Sequence, residues 1–189
     1  MTFVTKPGFQ PAAPVSARPV EHFPYFGGRY LSVAASLNGG NVVAEFVTML
    51  HGWTEDLGLT MSRDEIWRRI AAAGESATAA DASLDITPTL FGERHDPAAV
   101  GSVGNVRPGN TGLGPVVVAL CRGVVQNLAG MMTPGMLEEH GVTRILGSGG
   151  GLLRNSVMRR ELAEVYKLEV AFVEESDACI GAAMAILDK

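Results

Sequence analysis

From Val142 onward the chain alternates short β-branched runs with helical patterns, and no other feature constrains the fold as much. Val142 to Leu146 reads as a strand, Asn155 to Tyr166 as a helix, Val170 to Val173 as a strand and Asp177 to Leu187 as a final helix. Strands separated by a helix do not pair as a hairpin. The crossover makes them parallel and lays the helix against the sheet. An α/β fold follows, and 189 residues suffice for one domain with its own core. With 47% hydrophobic and 19% charged residues, a disordered or fibrous chain is excluded. The formal net charge of −5, without charge runs, gives no electrostatic footprint for nucleic acid or anionic lipid.

The first half is less regular. Five of the ten prolines fall within residues 1–24, so after a short strand at Thr2 to Lys6 an extended lead-in to about residue 28 is expected. Arg29 to Ser36 reads as a strand or a strand-to-helix entry. Val43, Phe46, Val47, Leu50, Trp53 and Leu57 share one helical face, and Gly58 is a stop signal. Ser62 and Glu65 have capping-box spacing before a helix through Ile66, Trp67 and Ile70. Leu84 to Leu90 reads as a strand, at an edge or with a bulge because of Pro88, and residues 91–112 as a long loop. Pro115 suits the first turn of a helix to about Met131, with a short helix at Met136 to His140. The apolar stretch from Val116 to Met132 contains Arg122, Gln126 and Asn127 and reads as a buried helix, not a membrane span. Met1 to Lys6 is too short and polar for a secretory signal. Cys121 and Cys179 lie in apolar helical patterns and make no disulfide framework, so a reducing, cytoplasmic setting is expected.

Chemistry concentrates at glycine. Gly147, Gly149, Gly150 and Gly151 lie between a strand and a helix, where open α/β sheets bind ligands. A tight turn accounts for one or two of them; four within five residues favour close approach of a ligand to bare backbone. Leu152 breaks the dinucleotide fingerprint, and no glycine–lysine–serine/threonine phosphate loop occurs. Asn38, Gly39, Gly40 and Asn41 precede the best-patterned helix. They read as a capped turn or, given the positive helix end, as an anion site; on the residues alone the capped turn is stronger. Glu93, Arg94, His95 and Asp96 read as a solvated ion-pair cluster ahead of a substrate contact. His22, His51 and His140 are isolated, no spacing suggests zinc, and Met131, Met132 and Met158 read as core. No pair of carboxylates stands out for acid–base work.

Six segments, in order, resemble the FGGY carbohydrate kinases: Phe23–Phe26, Tyr30–Asn41, Thr87–His95, Ala119–Leu128, Gly147–Gly151 with Asn155, and Asp177–Ala183. The resemblance runs from about Thr2 to Leu187. It implies the C-terminal, nucleotide-binding domain of an actin-like (ribonuclease-H-like) two-domain sugar kinase, N-terminally truncated and lacking its first strand. It further implies transfer of the ATP γ-phosphate to a sugar hydroxyl, with Mg2+ held mainly through the phosphates. By the same resemblance, Gly149, Gly150 and Gly151 carry adenine and Asn155 contacts base or ribose. Gly40, after Gly39, approaches the phosphates, Ala44 faces the same cleft, and the helix at Asp177–Ala183 joins the interdomain hinge.

The departures bear on activity. The family's catalytic base is an aspartate in a glycine-flanked turn early in the second domain. No aspartate precedes Asp56 here, so no catalytic residue is assigned. The resemblance therefore implies a chain inactive alone, with a missing N-terminal kinase domain as partner and a small sugar as substrate. Two other classes fit less well: a non-catalytic binding module of the same fold, and an actin-like ATPase that does not act on sugars.

Overall fold

The computed structural model describes residues 1–12, 18–77 and 83–173. Three strands open the chain: β1 (Thr2–Val4), β2 (Glu21–Tyr25) and β3 (Arg29–Val33). They form an antiparallel sheet in the order β1-β3-β2. β2 lies inside the stretch expected to be an unpaired lead-in. Gly27 and Gly28, both at positive φ, turn the chain back so that Tyr25 faces Arg29. Pro24 is accommodated because β2 is an edge strand of this sheet.

Helix α1 (Gly40–Asp56) and helix α2 (Arg63–Ser76) follow. In α1 the buried residues are Val42, Val43 and Val47, while Trp53 and Leu57 are 56% and 74% exposed. The periodicity located the right side of this helix but not how far along it the cover extends. Gly58 takes a positive φ just beyond the helix, as a stop requires. Ser62 caps α2, its hydroxyl accepting from the Glu65 N–H at 3.2 Å. The reciprocal half of the box is replaced: the Glu65 carboxylate pairs with Arg68 and Arg69.

Strand β4 (Asp85–Thr87) stops before Pro88 and pairs with β5 (Ser102–Gly104), a strand inside the expected loop. Helix α3 (Leu113–Met131) is the centre of the molecule, with nine buried residues including Val118 and Cys121. α3 is the one helix among the described residues long and apolar enough to cross a membrane, but half of that stretch is buried within the fold. β4 presses on it at Gly123, where a Cβ would meet the Ile86 carbonyl at 2.1 Å. Only glycine permits that approach.

Thr133 caps α4 (Pro134–Glu139), and the chain then enters β6 (Arg144–Gly147), α5 (Gly150–Leu153), α6 (Ser156–Tyr166) and β7 (Glu169–Phe172). β6 and β7 pair in parallel, as the alternation requires. The expected final helix at Asp177–Leu187, and Cys179 with it, lies outside the described residues. Core packing joins Val47, Ile70, Val118, Val125, Met132 and Tyr166. The Tyr166 hydroxyl donates to the Met132 carbonyl at 3.1 Å, and Arg122 pairs with buried Glu161 at 2.9 Å to tie α3 to α6.

His22 and His140 are not isolated. Both rings lie against Phe9, at 5.2 and 4.9 Å between centroids, and His140 also meets Phe3 at 4.9 Å. The Lys6 N–H donates to His140 Nδ1 at 3.3 Å, so this cluster seats the N-terminal sheet on the end of α4.

Candidate functional site

A cavity of about 550 Å³ opens where the start of α1, one face of α2, α3 and the segment from Gly150 to Met158 converge. The size suits a small organic ligand. Gly40, Gly150, Gly151 and Asn155, four residues singled out in the sequence, line it. Gly39, Ala44 and Gly149 do not line it. Gly39 caps α1 through its backbone, Ala44 is exposed on the helix surface, and Gly149 caps α5 at a φ of +94°.

The glycines divide by what the fold needs from them. At Gly147 a Cβ would meet the Leu152 and Phe172 side chains at 2.9 Å, so any larger residue must push them aside. At Gly149 the positive φ favours glycine. Gly40 is different: a Cβ there meets nothing within 4 Å. A Cβ on Gly151 meets only the Gly40 Cα, at 4.0 Å. Two backbone corners far apart in sequence thus lie beside one another at the cavity wall, and a Cβ at either would meet no clash.

The wall between them is mixed. Val43, Ile70, Val117 and Val157 supply apolar surface, and Trp67, 39% exposed, adds an aromatic ring. Asp64, Arg68 and Arg154 supply charge. The Arg154 Nε donates to the Gly150 carbonyl at 3.2 Å, folding the guanidinium over α5. Trp67, Arg68 and Arg154 were not singled out from the sequence. Their signal was the helical spacing of α2 and a single arginine after the glycines, neither of which shows that both border one cavity.

Asn155 is already engaged by its own chain. Its Oδ1 accepts from the Met158 N–H at 2.9 Å and caps α6, and its Nδ2 lies 3.5 Å from the Cys121 sulfur. Burial pushes the Cys121 thiol up to about 11. Asn38, read as a helix cap, does not cap α1. Its side chain is buried, donates to the Gly92 carbonyl at 2.6 Å and to Glu93 at 2.9 Å, and accepts from the Phe91 N–H at 3.2 Å.

Glu93 overturns the solvated-cluster reading. It is 2% exposed, and its carboxylate accepts from Ser36 Oγ, the Leu37 N–H, Asn38 Nδ2 and Asn127 Nδ2. Burial alone would raise its pKa. The hydrogen bonds from Asn38, Ser36, Leu37 and Asn127 outweigh that, and the net shift is downward. Sequence distance hid this: the partners lie 57 to 34 positions away.

No protein-family profile matches the chain. Sedoheptulokinase from Homo sapiens is 46% identical over 181 residues, covering 95% of this chain and 37% of that protein. Sedoheptulokinase from Mus musculus is 46% identical over 183 residues, covering 96% of this chain and 38% of its own length. The chain therefore spans little more than a third of these curated relatives. Among solved structures, the ligand-bound xylulose kinase from Lactobacillus acidophilus superposes with a TM-score of 0.71 at 20% identity, covering 98% of this chain and 35% of that one. The chain thus resembles sedoheptulokinase in sequence along nearly all of its own length, and it has the actin-like fold of the C-terminal domain of the FGGY carbohydrate kinases.

Proposed function

We propose that the chain is the ATP-binding C-terminal portion of a carbohydrate kinase that transfers the ATP γ-phosphate to a sugar hydroxyl, converting sedoheptulose to sedoheptulose 7-phosphate. One observation carries the nucleotide part of this reading. Gly40 and Gly151 border one cavity, and a Cβ at either would meet no clash. A flat base can lie against the backbone of Gly150 and Gly151, with Trp67 and the apolar wall excluding water around it. The first N–H groups of α1 have no intrahelical acceptor, and with the helix dipole they suit the phosphate end. The names of the relatives supply the sugar.

Phosphoryl transfer asks a protein for in-line positioning and for charge neutralisation more than for covalent chemistry. Among the described residues no three His, Cys, Asp or Glu side chains cluster as metal ligands. An Mg2+ ion would be carried mainly on phosphate oxygens, where it would neutralise charge on the transferred group. The acceptor hydroxyl also needs a base, typically worth 10²–10⁴-fold. Among the described residues Asp64 is the one carboxylate bordering the cavity, and it stands on the wall assigned to the base and ribose. This chain supplies half of a two-sided site, and turnover needs the other half.

Calorimetry with ADP tests the nucleotide reading: saturable one-to-one binding supports it, and no heat at millimolar ADP defeats it. A coupled assay with sedoheptulose, ATP and Mg2+ tests the incompleteness. No turnover is expected from the 189 residues alone, and steady turnover would refute that part.

A further inference from the structure

We propose that Glu93 is a positioning residue for the phosphate arm of the bound nucleotide: from beneath the segment that enters α1, its carboxylate holds Gly40 at the cavity wall. This rests on the nucleotide reading above.

An ionised carboxylate that is 2% exposed is costly unless donors surround it. Three of its four donors come from one short stretch, the Ser36 hydroxyl at 2.7 Å, the Leu37 N–H at 3.0 Å and Asn38 Nδ2 at 2.9 Å. The fourth is Asn127 Nδ2 of the central helix, at 2.6 Å. Both carboxylate oxygens are used, Oε2 by Leu37 and Oε1 by the rest. Bonds to an ionised acceptor are roughly twice as strong as neutral ones, so the stretch from residue 36 to 38 is tied to the core of the molecule.

That stretch leads directly to the cavity. The Leu37 carbonyl accepts from Asn41 Nδ2 at 2.8 Å, and Asn41 Oδ1 accepts from the Gly39 N–H at 2.7 Å. Hydrogen bonds at the Leu37 N–H and at the Leu37 carbonyl thus join Glu93, through the Leu37 backbone and Asn41, to the first turn of α1. The device answers a local need. Gly39 and Gly40 have no side chains, α1 has no side-chain cap, and two adjacent glycines are the most mobile entry a helix can have. An external anchor removes that freedom before a ligand arrives, which is how preorganisation raises affinity. The anchor acts on Gly40 and its neighbours, whereas the base-side wall from Gly150 to Met158 is built by α5 and α6.

The proposal separates two ligands that differ only in phosphates. Calorimetry on the full chain with adenosine and with ADP compares wild type, Glu93→Gln, Asn127→Ala and, as a stability control, Tyr166→Phe, which removes a buried hydrogen bond away from the cavity. The expected result is ADP binding about tenfold weaker in Glu93→Gln, with adenosine changed less than twofold. Asn127→Ala moves the same way by less. Tyr166→Phe lowers the melting temperature and leaves both affinities alone. Equal losses of adenosine and ADP in Glu93→Gln, no loss of either, or an equal ADP loss in Tyr166→Phe would each overturn the positioning role. If Glu93→Gln does not fold, the adenosine–ADP split in Asn127→Ala decides. Wild-type chain that binds neither ligand would instead sink the nucleotide reading, and the positioning role with it.

Discussion

At the scale of single residues, Gly147 and Gly151 make opposite predictions although they sit four positions apart. Gly147→Ala forces a methyl against Leu152 and Phe172 at 2.9 Å, and overpacking of that kind costs about 1–3 kcal/mol. Its melting temperature should fall. In Gly151→Val the Cβ meets only the Gly40 Cα, at 4.0 Å, so the melting temperature should fall less than in Gly147→Ala while ADP affinity drops at least tenfold. Thermal denaturation and calorimetry on the two variants read this out; ADP binding unchanged in Gly151→Val would contradict it. Cys121 gives a second test. With its thiol pushed up to about 11 it stays protonated at pH 8, and only the thiolate is a nucleophile. Alkylation mapped by mass spectrometry should spare Cys121 in the folded chain and reach it after denaturation. The glycines were legible because bare backbone is written into the sequence. Glu93 was not, since a charged residue in a polar loop looks solvated until Asn38 and Asn127 arrive from elsewhere in the fold.

Among the elements, what was legible is what local chemistry decides. Ser62 accepts a backbone N–H at the start of α2 and Gly58 ends α1, as their spacing indicates; Thr133 and Asn155 cap α4 and α6 by the same chemistry but were not read as caps. The parallel pairing of β6 and β7 followed from the helix between them. β2 and β5 escaped notice because a strand with Pro24 in it, or three residues with glycine in a long loop, is stabilised only by its partner. The docking of the N-terminal sheet on α4 was equally hidden, and it carries a pH dependence. Burial lowers the pKa of His22, with Arg18 and His140 adding to it; burial and Lys6 lower that of His140 against the opposing pull of Glu139. The unfolded chain, with histidines near 6.5, then binds more protons than the folded one just below that pH. Stability should fall as the pH drops through about 6.5 toward the lower folded values. Melting temperatures between pH 8 and 5 should show this decline, and the His22→Gln/His140→Gln double variant should flatten it. An unaltered slope in the double variant would assign the dependence elsewhere.

For the whole molecule, the order of six segments along the chain carried the fold where periodicity alone could reach only its second half. Six scattered matches in sequence are six contacts with one architecture. What they could not convey was which corners meet, since that depends on how α1 and α5 are brought together by α2, α3 and α6. The contact of Gly151 with Gly40 joins positions 111 apart in the chain. A ligand seated there therefore acts as a rivet through both halves of the polypeptide. Its binding energy adds to that of folding, by about 2.7 kcal/mol at a hundred times Kd. ADP should raise the melting temperature of the wild-type chain and leave that of Gly151→Val where it stands. Chain cleaved between the two corners should hold its nucleotide only while the pieces stay clasped, so the small molecule would double as an assembly clamp for its own receptor.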